Sequence, residues 1–314
     1  MPTSNSRVAR ALGAEPISDA RHLLPPIVPP PACAPLPPGP LPGTEFVIDV
    51  SPPAGFTVDD IDAAFTPKRA DLRFPRVWAR AHGNGDWRGS DALTPQARVT
   101  DLALTWELPA LLTAGAETAR DLAAQLAEVR RIAVGCGGDA RARETPWNAA
   151  ARADRLIALK LRFARSVEMR LTATERRFPS REVWRAAYAL GLRWGDMEQF
   201  HWSNPAGSDI EFTLSAVGQT GGFLPERAEE GEAVAGIALS FELPRNPAPL
   251  AAFDHLAVAL GYLRGTLGGR PTTPDGVELD HDRLYDDRDA LAESVSEMKK
   301  AGISPGSPQA ARFF

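Results

Sequence analysis

The chain has 314 residues, of which 44% are hydrophobic and 24% charged, with a net charge of -5 and a pI near 5.7. That length suits two domains of roughly 100 to 150 residues, and the acidic balance excludes a protein that wraps a phosphate backbone, which needs a basic footprint. Cys33 and Cys136 stand far apart and supply neither a disulfide framework nor a metal cluster, and no apolar run reaches the roughly 18 to 20 residues of a membrane span.

In chain order, residues 25–42 hold ten prolines in eighteen positions, a composition that favours extended polyproline II and cannot build a core. Residues 1–43 are therefore read as a disordered tail and semi-rigid spacer; a ligand for a proline-recognising module is the alternative. A strand is predicted over 45–50, with Phe46, Ile48 and Val50 on one face. Thr57 then caps a helix over 58–65 whose first turn holds Asp59 and Asp60. Strands follow near 77–81, 86–89 and 100–108, with a hairpin turn through Asn84-Gly85. A helix over 116–134 carries Leu122, Leu126, Val129 and Ala133 on one stripe and stops at Gly135, Gly137 and Gly138. Another helix, over 149–165, closes the first unit.

The second unit runs in the same order. Val167, Met169 and Leu171 share a strand face, and Pro179 and Ser180 introduce a helix. Strands are predicted at 192–202, 211–217 and 235–243. Phe253, Leu256, Leu260, Leu263 and Leu267 form one stripe of a helix that ends at Gly268 and Gly269. A last helix over 282–300 uses Leu284, Leu291, Val295 and Met298 and ends on Lys299 and Lys300.

One passage occurs twice: Asp101-Leu-Ala-Leu-Thr-Trp-Glu-Leu-Pro109 and Gly236-Ile-Ala-Leu-Ser-Phe-Glu-Leu-Pro244. Its period-2 pattern marks a strand with a buried parity and a solvated one, the latter Ala103, Thr105 and Glu107 in the first copy and Ala238, Ser240 and Glu242 in the second. The repeat reads as an internal duplication. Two tandem α+β units at 44–165 and 166–300, each an antiparallel sheet with helices on one face, and a tail at 301–314 follow from it. Such units offer surfaces rather than enclose a substrate.

Candidate chemistry is sparse. His201 lies near Asp196 and Glu198, but strand alternation sends the imidazole to one face and both acids to the other. The acids among Asp280, Asp282, Asp286, Asp287 and Asp289 suit a helix start better than a Ca²⁺ loop, whose spacing is not met. Gly83 to Gly89 lacks the Lys-Ser or Lys-Thr of a phosphate loop. Trp184, Trp194 and Trp202 read as core. With no nucleophile, metal set or cofactor cradle, an enzyme is the least supported class, and no cofactor is expected.

The second unit resembles the C-terminal FtsZ-binding domain of the ZipA family of bacterial cell-division proteins. The residues that carry the resemblance are Gly191-Leu-Arg-Trp-Gly-Asp-Met-Glu-Gln-Phe-His201, Phe212-Thr-Leu-Ser with Gly221-Gly-Phe-Leu-Pro225, the strand to Pro244 and the helix to Gly268-Gly269. The first unit keeps the strand before Pro109 and the Gly-ended helix without a Gly-Asp-Met step, so it resembles a diverged second copy. The family fold is an antiparallel sheet with helices on one side, and the resemblance implies a noncatalytic role in division-ring and septum assembly. In that family the bare sheet face receives the C-terminal tail of FtsZ. Carried across position by position, the face falls on Met197, Gln199, Ser215, Val217 and Ser240, with Gln219 just beyond; only Met197 and Val217 are apolar, where the family uses larger apolar groups. Family chains begin with a membrane anchor and a proline-rich linker; here a similar linker is present and the anchor is missing, so either the protein acts without direct anchoring or the chain start omits a segment. The implied location is the cytoplasm, with recruitment to the inner membrane at the division site. A scaffold that kept the fold and changed partner is the alternative.

Overall fold

The computed structural model describes residues 4–28, 30–31, 35–81, 83, 85–111, 115–207, 210–218 and 222–314. Cys33, Asn84 and Gln219, singled out above, lie outside the described residues. The chain divides into two compact units, the first made of residues 35–162, the second of residues 1–34 and 163–312. The second unit opens with α1 (Ser4–Ala11).

In the first unit β1 (Glu45–Ser51) leads to α2 (Val58–Phe65), which starts on a capping box: the Thr57 hydroxyl accepts from the Asp60 amide and the Asp60 carboxylate from the Thr57 amide. Then come β2 (Arg76–Ala81), β3 (Arg88–Gly89), β4 (Val99–Glu107), α3 (Gly115–Gly135), β5 (Asp139–Ala142) and α4 (Pro146–Phe163). The antiparallel sheet runs β3-β2-β4-β1-β5. Phe46 and Ile48 of β1 and Leu102, Leu104 and Trp106 of β4 join Leu122, Leu126 and Val129 of α3 and Ala149 and Ala153 of α4 in one core.

The other parity departs from the expected solvated face, because Ala103 and Thr105 of β4, like Ala238 of the second copy, are buried. Ala103 lies between Trp78 and Asp49, and Thr105 between Arg76 and Val47, so larger cross-strand neighbours shield both small side chains.

The second unit continues with β6 (Ser166–Thr172), β7 (Phe178–Pro179), α5 (Ser180–Ala189), β8 (Arg193–Trp194), β9 (Phe200–Ser203), β10 (Ile210–Ala216), α6 (Pro225–Glu229), β11 (Ala233–Val234) and β12 (Gly236–Glu242). After them stand α7 (Pro249–Leu267), β13 (Arg270–Thr272), α8 (His281–Lys300) and α9 (Pro308–Phe313). Its main sheet runs β13-β6-β12-β10-β9-β8, and β7 pairs separately with β11. On α7, Phe253, Leu256, Leu260 and Leu263 are all buried, as their spacing predicts.

The repeated passage occupies corresponding places in the two sheets: β4 lies between β1 and β2, and β12 between β6 and β10. Registers correspond too, with Trp106 opposite Phe46 and Phe241 opposite Val167. Even the flanking backbone bond recurs, Leu108 N–H to the Thr44 carbonyl and Leu243 N–H to the Arg165 carbonyl.

Two further expectations need correction. The strand predicted over 192–202 is two strands, β8 and β9, because Gly195 takes φ -167° and ψ -136° and Met197 and Glu198 take left-handed conformations at φ 55° and 58°. The predicted disordered tail is instead ordered over 4–28: Ala9, Leu12, Ala14, Ala20, Leu24 and Ile27 are buried, and hydrogen bonds reach from it to α5, β8 and Asn204. Polyproline composition forbids a core of its own but not docking onto another one. Residues after 300 also pack, with Ile303 buried and the Gly306 N–H donating to the Pro244 carbonyl.

Leu260→Ala removes a fully packed side chain from the α7 stripe and should cost about 2 to 5 kcal/mol, read as a shift in urea midpoint; a variant that melts with the parent would contradict this packing. His255, on the same helix, stands edge-on to Trp202 at 4.8 Å between ring centroids. Burial pushes its pKa below the ordinary value, against the pull of Asp254. The folded imidazole stays neutral while the unfolded one takes a proton near pH 6.5, so stability should fall as pH drops through about 6.5. Melts of His255→Asn between pH 7.5 and 5 should show a shallower pH slope than the parent.

Candidate functional site

Pairing in the second sheet decides which residues share its outward face. Phe200, Trp202, Phe212, Leu214, Ile237, Leu239 and Phe241 point into the core. The opposite parity sets His201 against Thr213, Thr213 against Ser240, Ser240 against Glu168, and Ser215 against Ala238. A polar row thus crosses the sheet from Arg193 through His201, Thr213 and Ser240 to Glu168. Within it the Thr213 and Ser240 hydroxyls lie 3.3 Å apart, and the Arg170 guanidinium donates to the Glu168 carboxylate at 2.5 Å. A depression of about 200 Å³ opens beside Thr213 and Ser240, bounded by Glu242, Arg245 and Asn246.

Of the residues carried over from the family pattern, Ser215 and Ser240 lie on this face, and Gln199 directly precedes β9. Val217 follows β10, its N–H donating to the Gly236 carbonyl at 2.9 Å. Met197 is not on a strand: it sits in the 3-10 turn 196–198 and is 82% exposed. Thr213, Glu168 and Arg170 share the face and were not picked out from sequence, and His201, read there only for acid-base chemistry, joins them. Their alternation was visible, but which strands adjoin which was not.

The Met197 turn is held from behind. Trp194 Nε1 donates to the Phe223 carbonyl at 2.8 Å, Phe223 N–H donates to the Glu198 carbonyl at 2.7 Å, and Gly195 N–H to the Gln199 carbonyl at 2.9 Å. Beneath them Trp184 packs on Phe200 edge to face at 4.9 Å, and Phe200 on Phe223 at 5.3 Å. Two consecutive non-glycine residues in the left-handed region cost of order 1 to 3 kcal/mol each, and this lattice of bonds keeps them there. The turn therefore presents an exposed thioether on a fixed backbone.

His201 makes no pair with the acids beside it. Its Nε2 lies 2.9 Å from the Asp196 backbone carbonyl, and Nδ1 is buried without a hydrogen-bond partner among the described residues. Asp280 caps α8, accepting from the Arg283 amide at 2.8 Å. Among the described residues no group of three or more His, Cys, Asp or Glu is placed to hold a metal ion, and no helix is long and apolar enough to cross a membrane.

Gly222 lies against the turn with φ 58°, and a Cβ there would come within 2.6 Å of the Glu198 carbonyl oxygen. Gly222→Ala should lower stability by at least about 1 kcal/mol and shift the Met197 methyl resonance; an unchanged melt and spectrum would disprove this support.

A comparison with curated proteins returns no match. Residues 166–289 match the family model described as ZipA, C-terminal FtsZ-binding domain, and the second unit thus carries a domain of that family.

Proposed function

We propose that this protein binds the C-terminal tail of FtsZ on the outward face of its second sheet and, without catalysing a reaction, supports assembly of the division ring and septum. The family match over residues 166–289 carries this reading. The contact surface is Met197, Gln199, Ser215, Val217 and Ser240, with Gln219 beside them in sequence and Thr213 and His201 beside them on the sheet. The protein reaches the division site at the inner membrane from the cytoplasm, through the FtsZ polymer.

The first unit is a diverged copy of the second. What supports this is the shared order β5-β1-β4-β2 and β13-β6-β12-β10, with corresponding registers. Its β4 offers no apolar outward surface, because Ala103 and Thr105 are shielded.

Magnitudes make a single contact weak. Full burial of a Met or Val side chain contributes roughly 1.5 to 3 kcal/mol, and association costs at least about 4 kcal/mol in lost freedom. Many copies meeting many tails on one polymer compensate, since tethered contacts raise apparent affinity by roughly 10² to 10⁴. The polar row from Arg193 to Glu168 favours a second reading, a scaffold whose partner presents hydrogen-bonding groups to the same face.

Val217→Asp places a charge in the contact and should abolish co-sedimentation with FtsZ filaments while leaving the melting curve unchanged. Filaments of FtsZ lacking its C-terminal tail should fail to bring down the parent protein. If both pairs still sediment together, the tail-binding reading fails and the scaffold reading replaces it.

A further inference from the structure

The N-terminal arm lies against α5, β8 and Asn204 of the second unit. At its start the Asn5 carboxamide donates to the Trp194 carbonyl at 3.1 Å and accepts from the Trp194 N–H at 2.8 Å, closing the free edge of β8. Arg185 of α5 donates to the Gly13 carbonyl at 2.8 Å. The Ala20 N–H donates to the Ala189 carbonyl at 2.9 Å, which satisfies a carbonyl at the C-terminal end of α5. The stem of Arg21 lies over Gly191, where a Cβ would meet its Cγ at 2.8 Å.

Beyond this point the arm is read as an extended proline-rich ligand would be. Leu24 and Ile27 are buried while Pro25, Pro26 and Val28 are exposed. A spacing of three matches the three residues per turn of polyproline II. Asn204, 2% exposed, reads the Ile27 backbone from both sides: its Oδ1 accepts the Ile27 N–H at 3.0 Å and its Nδ2 donates to the Ile27 carbonyl at 2.7 Å. Between residues 25 and 31 only Ile27 and Val28 carry an N–H. The carboxamide thus meets one of the two positions in that run that can donate. Without the arm, a buried Asn204 would lose its partners on both heavy atoms save the Ala206 N–H.

We propose that the second unit holds a docking site for a proline-rich segment with apolar residues three apart, built from the C-terminal end of α5, Gly191 and Asn204, and that residues 20–28 of the same chain occupy it in cis. The tail taken from composition to be a spacer is the site's own occupant, and the module that reads it is in the same protein. A segment of like pattern offered in trans must displace it. Tethering gives the cis segment a large effective concentration, so it suppresses binding in trans.

The probe is a labelled peptide of residues 20–30, titrated into the full chain by fluorescence anisotropy. The parent should bind it weakly. The double variant Leu24→Asp/Ile27→Asp, which frees the site without altering it, should bind about 10²-fold more tightly, and adding Asn204→Ala should remove that gain. Equal binding by the parent and the double variant would overturn the proposal. Should the double variant fail to melt cooperatively, amide exchange on the parent decides: an Ile27 N–H that exchanges as fast as that of Val28 refutes docking. A parent that sediments as a dimer and becomes monomeric on Ile27→Asp would place the occupant in a second copy and refute the cis assignment.

Discussion

Each sheet depends on one antiparallel pair, the strand that opens the unit against the strand of the repeated passage, β1 with β4 and β6 with β12. Leu102, Leu104 and Trp106, like Ile237, Leu239 and Phe241, all face the core. A slip of one residue would turn the whole set outward, so burial fixes the register strongly. Once that pair is set, α3 or α7 has an apolar surface to pack on, and the neighbouring strands inherit their parity. Which side chains face away from the helices is then no longer free.

The same constraint gives different outward surfaces in the two units because the cross-strand neighbours differ. Around Ala103 and Thr105 stand Trp78, Arg76 and Val47, and both small side chains are buried. Arg76 also lies over the Trp78 ring at 5.7 Å from its centroid and within 3.4 Å of the Glu107 carboxylate, so its charge is engaged within its own unit. Around Ser240 stand Thr213 and Glu168, short or turned toward Arg170, and a hollow remains.

Much of this was legible from period alone. The α7 stripe, the α3 stripe ended by glycines, the Thr57 cap and the equivalence of 102–108 with 237–243 rest on local spacing or on direct repetition, and the structure places them as read. What escaped depends on contacts between distant residues. The Met197 turn is set by Gly222 and Phe223, and nothing in residues 192–202 taken alone announces it beyond Gly195. Ordering of the arm rests on pairs such as Asn5 with Trp194 and Ile27 with Asn204, which are 189 and 177 residues apart. Composition described the arm's inability to fold by itself and was silent on where it could dock.

The edges of the second sheet bear on how it can meet a partner. At one end β8 is only two residues long and its Trp194 backbone donor and acceptor are both taken by Asn5. At the other, β13 is three residues long, contains Pro271, and its Thr272 forms a further bridge with Glu278. Short edges, proline and covering contacts are the devices that prevent strand addition. Recognition by extending the sheet is thereby disfavoured at both ends, and a partner of this sheet meets side chains rather than backbone. Under the reading proposed above, selectivity then rests on side chains of that face, among them the exposed Met197 thioether on its turn and the hydroxyl pair of Thr213 and Ser240.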